Sequence, residues 1–309
     1  MKRNVIFSLI LIFLVVLVSG CKKEEVVVPE NKQLTLEQFA TNNKYKNVLS
    51  NIRCSALDNN NIVKSMSYNM FLLSDGYIYT TVTDKSITYA NGEQCKKYSD
   101  IKISRIFGNY YYIGTDNTVY TMYNEGGLKE YSNGNYFIPL EDNTIVDLIN
   151  INFTDEEKLQ YASSSKYQGR DYITSDYVKY IILRNDGNIY EAVYNRVNNY
   201  NKKLISFTLV NEKVIYSKNN YGSIKSFNIS QTSSSYSIYS LSTSNGLYIL
   251  KTFENEECKK YEDVKCEEKL VLNEGYLKYS NEIKYIDYNL ILTNTNSLIP
   301  TSIFMGRKY

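Results

Sequence analysis

Beyond residue 40 the chain is written in short runs of Tyr, Ile, Leu and Val that meet an Asp, Asn or Gly turn and resume on the other side. The clearest are FLLSDGYIYTTV (71–82), YYYIGTDNTVYTM (110–122), YIILRNDGNIYEAVY (180–194) and YSLSTSNGLYILKTF (239–253); YNLILTNTNSLIPT (288–301) is a weaker fifth. Each predicts a β-hairpin, with β-branched and aromatic strands around a turn whose Gly or Asn accepts positive φ. The turn centres fall near Asp75, Asp116, Asp186, Asn245 and Thr295. The longest gap between them holds two fainter strands, 135–140 and 144–149, and a short helix at about 154–163. That helix is announced by a capping box, Thr154 with Glu157, followed by Leu159 and Tyr161. Another short helix is expected at 36–40, with Thr35 as its cap. The Asn-rich stretch 195–201 and the Ser-rich stretch 230–237 read as loops.

One decapeptide is written twice. EQCKKYSDIK (93–102) and EECKKYEDVK (256–265) agree at seven of ten positions. Both copies follow a hairpin, and the stretch between hairpin and Cys differs in length. Such recurrence predicts a structural repeat, with Cys95 and Cys258 at equivalent places in two units. Hairpins recurring at this interval point to an all-β, propeller-like fold of about five to seven antiparallel blades with one short helical insertion. The decapeptide admits two readings. It is a duplicated binding loop, in which Lys96, Lys97, Lys259 and Lys260 hold an anion and Tyr98 and Tyr261 stack. Or it is a strand edge, with Cys, Tyr and Ile/Val inward and the lysines in water. The second is preferred, because blades need repeated packing residues and surface lysine needs no explanation.

The segment IKISRIFGNYYYIGTDNTVYTM (101–122) resembles the core of a repeat from the regulator-of-chromosome-condensation family, with Phe107-Gly108, Asp116-Asn117 and Val119-Tyr120 at matching places. The His and Trp typical of those repeats are absent. The resemblance implies a blade scaffold and no activity.

The first twenty residues have a different character. Lys2 and Arg3 precede an apolar run, 5–18, broken only by Ser8, and the run ends in LVSGC. This resembles the lipobox signal peptide of bacterial lipoproteins, which implies cleavage before Cys21 and lipid on Cys21. KKEEVVVPENKQ then reads as a tether. The expected organisation is a signal peptide over 1–20, lipidated Cys21 and tether over 21–40, and a propeller-like domain over 41–309. Localisation follows as the extracytoplasmic face of a bacterial membrane, with acyl chains as the anchor.

Composition narrows the chemistry. The chain carries 35 Lys+Arg and 33 Asp+Glu, and loss of Lys2 and Arg3 leaves the remaining side chains neutral. No basic excess favours nucleic acid. There is no His, which removes the Ser–His–Asp and Cys–His constellations. No Trp occurs either, against 32 Tyr. Besides Cys21 there are Cys54, Cys95, Cys258 and Cys266, which allow three disulfide pairings and lack metal-site spacing. No cofactor motif occurs. Ser163–Lys166 fits S-x-x-K without its companion motifs, and Asp75, Asp116 and Asp186 read as turn residues before channel carboxylates.

Together these features predict a non-catalytic binding or scaffold module of the cell envelope. Its partner is a glycan or an envelope protein, met by loops such as 194–200 and held with only mild salt dependence. The rival is a propeller enzyme acting on glycans or glycosides through carboxylates. Three or more acids gathered in the central channel favour the enzyme; a lining of Tyr, Asn and Ser without acids favours binding.

Overall fold

All five predicted hairpins form, and each is the heart of one antiparallel sheet. The computed structural model describes residues 34–45, 48–58, 63–67, 70–81, 88–89, 92–108, 110–122, 127–132, 138–161, 163–231, 236–261, 264–286 and 290–305. The expected signal peptide, Cys21 and most of the tether lie outside these residues. Blade 1 is β1 (Val63–Ser67), β2 (Met70–Leu73), β3 (Ile78–Thr81) and β4 (Cys95–Lys97). Blade 2 is β5 (Ile103–Phe107), β6 (Tyr111–Gly114), β7 (Val119–Met122) and β8 (Leu128–Glu130). Blade 3 holds β9 (Ile145–Ile151), β10 (Ser164–Gln168), β11 (Asp171–Arg184), β12 (Ile189–Asn199) and β13 (Leu204–Tyr216), with β9 and β10 pairing different halves of β11. Blade 4 is β14 (Ile224–Gln231), β15 (Tyr236–Thr243), β16 (Gly246–Phe253) and β17 (Glu267–Leu272). Blade 5 is β18 (Ile283–Ile286), β19 (Leu290–Thr293) and β20 (Leu298–Pro300).

The sheets form a five-bladed propeller ring. Its core is five apolar clusters, one between each pair of neighbours. Met70 and Leu72 of blade 1 pack with Ile103 and Tyr112 of blade 2. Ile113 packs with Tyr180 and Ile182 of blade 3, while Ile181 and Leu183 face Phe227 and Leu241 of blade 4. Leu247 meets Ile291, and Leu292 of blade 5 meets Phe71 and Leu73 of blade 1. The strand next to the innermost one is therefore covered on both sides in blades 1, 2, 3 and 5, while in blade 4 β15 faces blade 3 and Leu247 and Ile249 of β16 meet blade 5. This explains why the hairpin signals are near-continuous apolar runs and not alternations: a sheet buried on both faces has no polar face to write.

The ring is closed by the segment before blade 1. Leu49 bridges Leu298 of β20 and supplies the pairing that the three-stranded blade lacks. The predicted helix forms over Leu36–Asn42 with Thr35 as N-cap, and buries Leu36 and Ala40 against Ile291, Ile299 and Phe304 of the last blade. One compact unit runs from Thr35 to Tyr309, so this helix belongs with the propeller.

Three of the five hairpin turns share one design. Asp75, Asp116 and Asp186 each accept, through Oδ1, the N–H two residues on, at 2.9, 3.0 and 2.9 Å. Through Oδ2 they accept the hydroxyl of the tyrosine four residues on: Tyr79 at 2.9 Å, Tyr120 at 3.5 Å and Tyr190 at 2.5 Å. Gly187 follows with φ +82, and a Cβ there would meet the Ser223 hydroxyl at 2.5 Å, so both conformation and space require glycine.

Five expectations need correction. The helix at Asp155–Gln160 forms with its capping box, yet it is not a single insertion. Short helices also form at Ser55–Asp58, Lys218–Tyr221, Glu256–Lys260, Glu274–Tyr279 and Ser302–Met305. All are one or two turns long, too short for an apolar period to register. The Asn-rich stretch is largely strand: 195–199 completes β12, where Asn195 accepts from the Ser175 hydroxyl at 2.7 Å and Asn199 donates to Asp171 at 2.9 Å. Cross-strand partners override the turn preference of Asn. The Ser-rich stretch is likewise narrower than a loop, because Ser230 ends in β14 and Ser237 lies in β15. Within the described part of the faint strand 135–140, Ile138 and Pro139 form no strand; the strand expected at 144–149 is β9.

The largest correction concerns the decapeptide. Cys95 opens β4, whereas Cys258 sits inside the helix Glu256–Lys260, in the connection between β16 and β17. The same residues are a strand in one blade and a helix in another, so the two cysteines are not equivalent. Context decides. Before the second copy stands Asn255, whose side chain caps the Cys258 N–H at 2.8 Å, and Glu256 and Glu257 precede Lys259 and Lys260 in the sense the helix dipole favours. Before the first copy stands Gly92 at φ +74, and β3 offers a free edge to which Cys95–Lys97 pairs. The disulfides follow this difference: Cys54–Cys95 ties the ring-closing segment to blade 1, and Cys258–Cys266 clips a short loop.

Candidate functional site: the central channel

The innermost strands β1, β5, β9, β14 and β18 surround a cavity of about 760 Å³, to which all five blades contribute. This lies within the range of roughly 300–1,000 Å³ usual for small-molecule sites.

Each inner strand carries a β-bulge at the same place. Val63 pairs with Leu73 and Ser65 with Leu72, which leaves Lys64 unpaired. The same slip isolates Ser104, Val146, Lys225 and Lys284. The bulge breaks the strict period of two and turns the extra side chain away from the inter-blade core. All five bulged residues are exposed. Lys64, Ser104, Val146 and Lys225 line the cavity, while the Lys284 ammonium donates to the Leu57 carbonyl at 3.1 Å, at the end of the helix Ser55–Asp58.

One residue further along β5, β9, β14 and β18 the side chains are half-buried. Arg105 donates to the Ile145 and Leu140 carbonyls at 3.3 and 3.5 Å, and its guanidinium lies 5.0 Å from the centre of the Phe107 ring. Burial lowers its pKa. Asp147 Oδ1 accepts the N–H of Gly108 and of Leu148, both at 2.8 Å. Burial pushes this carboxyl up to about 7 in spite of those two donors. Tyr110, Tyr285, Asn143 and Asn228 contribute the neutral polar part of the lining.

Among the described residues Asp147 is the only carboxylate on the cavity wall, beside three cationic side chains, Lys64, Arg105 and Lys225. A glycosidase of the two-carboxylate kind needs a second acid about 5–10 Å from the first. The hairpin acids Asp75, Asp116 and Asp186 sit in separate turns and do not line the cavity. Ser163–Lys166 is exposed, at the edge strand β10 and just before it.

The residues singled out in the decapeptide lie away from the channel. Lys97 pairs with Asp100 at 3.0 Å and sits 4.0 Å over the Tyr77 ring; Lys96 lies 4.9 Å over Tyr89. Tyr98 is half-buried between blades 1 and 2. In blade 4, Lys259 pairs with Glu254 at 3.2 Å and Lys260 lies 5.5 Å from the exposed ring of Tyr261. Blades 1 and 4 are not neighbours in the ring, so the two sets do not converge. Tyr194, at the head of the expected contact loop, is buried between blades 2 and 3.

A pattern in the sequence does mark the channel. V-K-S-M (63–66), I-S-R-I (103–106), I-V-D-L (145–148), I-K-S-F (224–227) and I-K-Y-I (283–286) share apolar first and fourth positions, which is what an inner strand with a bulged second residue writes. Comparison of the chain with protein-family models, with curated proteins and with solved structures finds no match in any of the three.

Proposed function

We propose that this chain is a lipid-anchored binding module on the extracytoplasmic face of a bacterial envelope, with the propeller channel as its ligand site. The observation that carries the reading is the channel itself: five inner strands enclose a small-molecule-sized cavity whose largely apolar wall carries cationic, hydroxyl and amide groups and one carboxylate. Such a wall offers recognition contacts without the paired acids that carboxylate hydrolysis requires. LVSGC at the end of the apolar leader supports attachment through Cys21. Two disulfides fit an oxidising compartment. Among the described residues no helix is long and apolar enough to cross a membrane, and a lipid anchor requires none.

Anchoring is tested by labelling cells with a fatty-acid analogue. Cys21→Ser should abolish labelling and block processing, and a labelled serine variant would remove this part of the reading. The site is tested with Val146→Trp, which places an indole at an exposed bulge on the channel wall of a chain that has no other tryptophan. In a screen of glycans and peptidoglycan fragments, ligands held by the wild type should be lost from this variant. Turnover of any such compound that disappears in Asp147→Asn would replace the binding reading with an enzyme.

A further inference from the structure

The bulge ring has a charge that the whole chain conceals. Side chains after residue 20 sum to zero, yet the bulged positions present Lys, Ser, Val, Lys and Lys around one level of the channel. Lys284 is engaged by the Leu57 carbonyl. Among the described residues, Lys64 and Lys225 have neither an ion-pair nor a hydrogen-bond partner, and both face the cavity. Cations in a cleft with low-dielectric walls focus their field on whatever enters, and they do so more strongly than the same charges on an open surface. A bulge forfeits ladder pairing, and here each of five blades accepts that loss at the position that aims a side chain into the channel or beside it.

We propose that the channel takes a small organic anion, its charged group held between Lys64 and Lys225 and its polar body against Tyr110 and Asn228. This rests on the reading of the channel as the ligand site. Lysine recognises carboxylate and phosphate alike, as a point charge with three donors. A sugar acid and a sugar phosphate are thus two sources of the same chemistry. Asp147 and Arg105 are the other charged groups on the wall; Arg105 already spends donors on two carbonyls, and Asp147 Oδ1 is taken up by the Gly108 and Leu148 N–H groups.

The test is isothermal titration of the full chain in detergent with digalacturonate, glucose 6-phosphate and neutral cellobiose. Wild type should bind a charged probe, and digalacturonate against glucose 6-phosphate tells carboxylate from phosphate. Lys64→Gln and Lys225→Gln should each weaken that binding roughly tenfold while the melting temperature stays put, since both side chains are exposed. Affinity for the charged probe should fall with salt, more than the neutral sum of side-chain charges leads one to expect. Cellobiose bound as well as the charged probes, with binding lost in Val146→Trp but unchanged in the lysine variants, overturns the anion proposal and leaves the channel reading standing. A charged probe bound equally well by Val146→Trp sits elsewhere and overturns both. Absence of binding by either charged probe at millimolar concentration also overturns the proposal.

Discussion

Leu49 and Leu298 exchange both backbone hydrogen bonds: the Leu49 N–H donates to the Leu298 carbonyl at 2.9 Å, and the Leu298 N–H donates to the Leu49 carbonyl at 2.8 Å. This pair is the seam of the ring, joining the segment before blade 1 to the last blade. Around it, Asn51 N–H donates to the Ser297 hydroxyl at 2.8 Å, and Ile52 N–H to the Asn296 carbonyl at 3.0 Å.

Opening the seam should therefore weaken the whole propeller and not one blade. Leu49→Pro removes the donor and leaves the Leu298 carbonyl without it in a buried setting, at a cost of about 1–3 kcal/mol. Leu298→Ala, at a side chain 1% exposed, should cost about 2–5 kcal/mol. Denaturant unfolding should show one cooperative transition moved to lower midpoint in both variants. A transition that splits in two would mean that blade 5 unfolds by itself.

The two disulfides should differ in weight. Cys54–Cys95 spans 41 residues and both its side chains are buried, whereas Cys258–Cys266 spans 8. Loop-closure entropy assigns about 4 kcal/mol to the first and about 2.5 kcal/mol to the second. The double variant Cys54→Ser with Cys95→Ser additionally places polar groups in the core between blades 5 and 1. Its melting temperature should fall well below that of Cys258→Ser with Cys266→Ser, and equal losses would contradict the assignment.

Exchanging the decapeptides tests whether context sets their conformation. In the first copy, Ser99→Glu and Ile101→Val fall on half-exposed positions and should each change stability by under about 1 kcal/mol. Gln94→Glu should cost more, about 1–3 kcal/mol, because Gln94 is 4% exposed and its side-chain oxygen accepts the Arg53 N–H at 3.0 Å. In the second copy Asn255→Ala removes the helix cap and should cost about 1 kcal/mol. A crystal structure of the triple variant should still show a strand at 95–97; a helix there would place the decision in the decapeptide itself.

Asp147 makes stability depend on pH in a stated direction. Its ordinary value is 3.8, and burial raises it to about 7 in the folded chain. Between those values the folded protein holds a proton that the unfolded chain has released, so this group's contribution to stability falls as pH rises from about 4 to 7. Asp147→Asn retains an oxygen for the Gly108 and Leu148 N–H groups and cannot ionise. Above pH 7 the variant should be more stable than wild type by at least about 1 kcal/mol, and near pH 4 the two should converge. Parallel curves for both proteins across that range would show that Asp147 does not titrate there.

What was legible in the sequence was what is local. In blades 1, 2, 3 and 5 the strand next to the innermost one is buried on both faces, so FLL, YYI, YIIL and LIL stand out as apolar runs, and the turns beside them carry their own Asp, Asn and Gly chemistry. Counting hairpins thus came close to counting blades. The apolar leader ending at Cys21 is equally a matter of adjacent residues, and it predicts an address, not a shape. The inner strands were nearly silent because the bulge after Val63, Ile103, Ile145, Ile224 and Ile283 replaces alternation with apolar residues three apart, a helix-like spacing that is not a strand's and is too short to predict a helix. Only the tertiary structure could decide that Lys64 and Lys225 share one cavity, that Cys54 meets Cys95, and that Leu49 completes the last blade. The decapeptide is the clearest case. Its residues carry comparable local preference for strand and helix, so a free edge at β3 and a cap from Asn255 settle the outcome, and both lie outside the repeated ten residues.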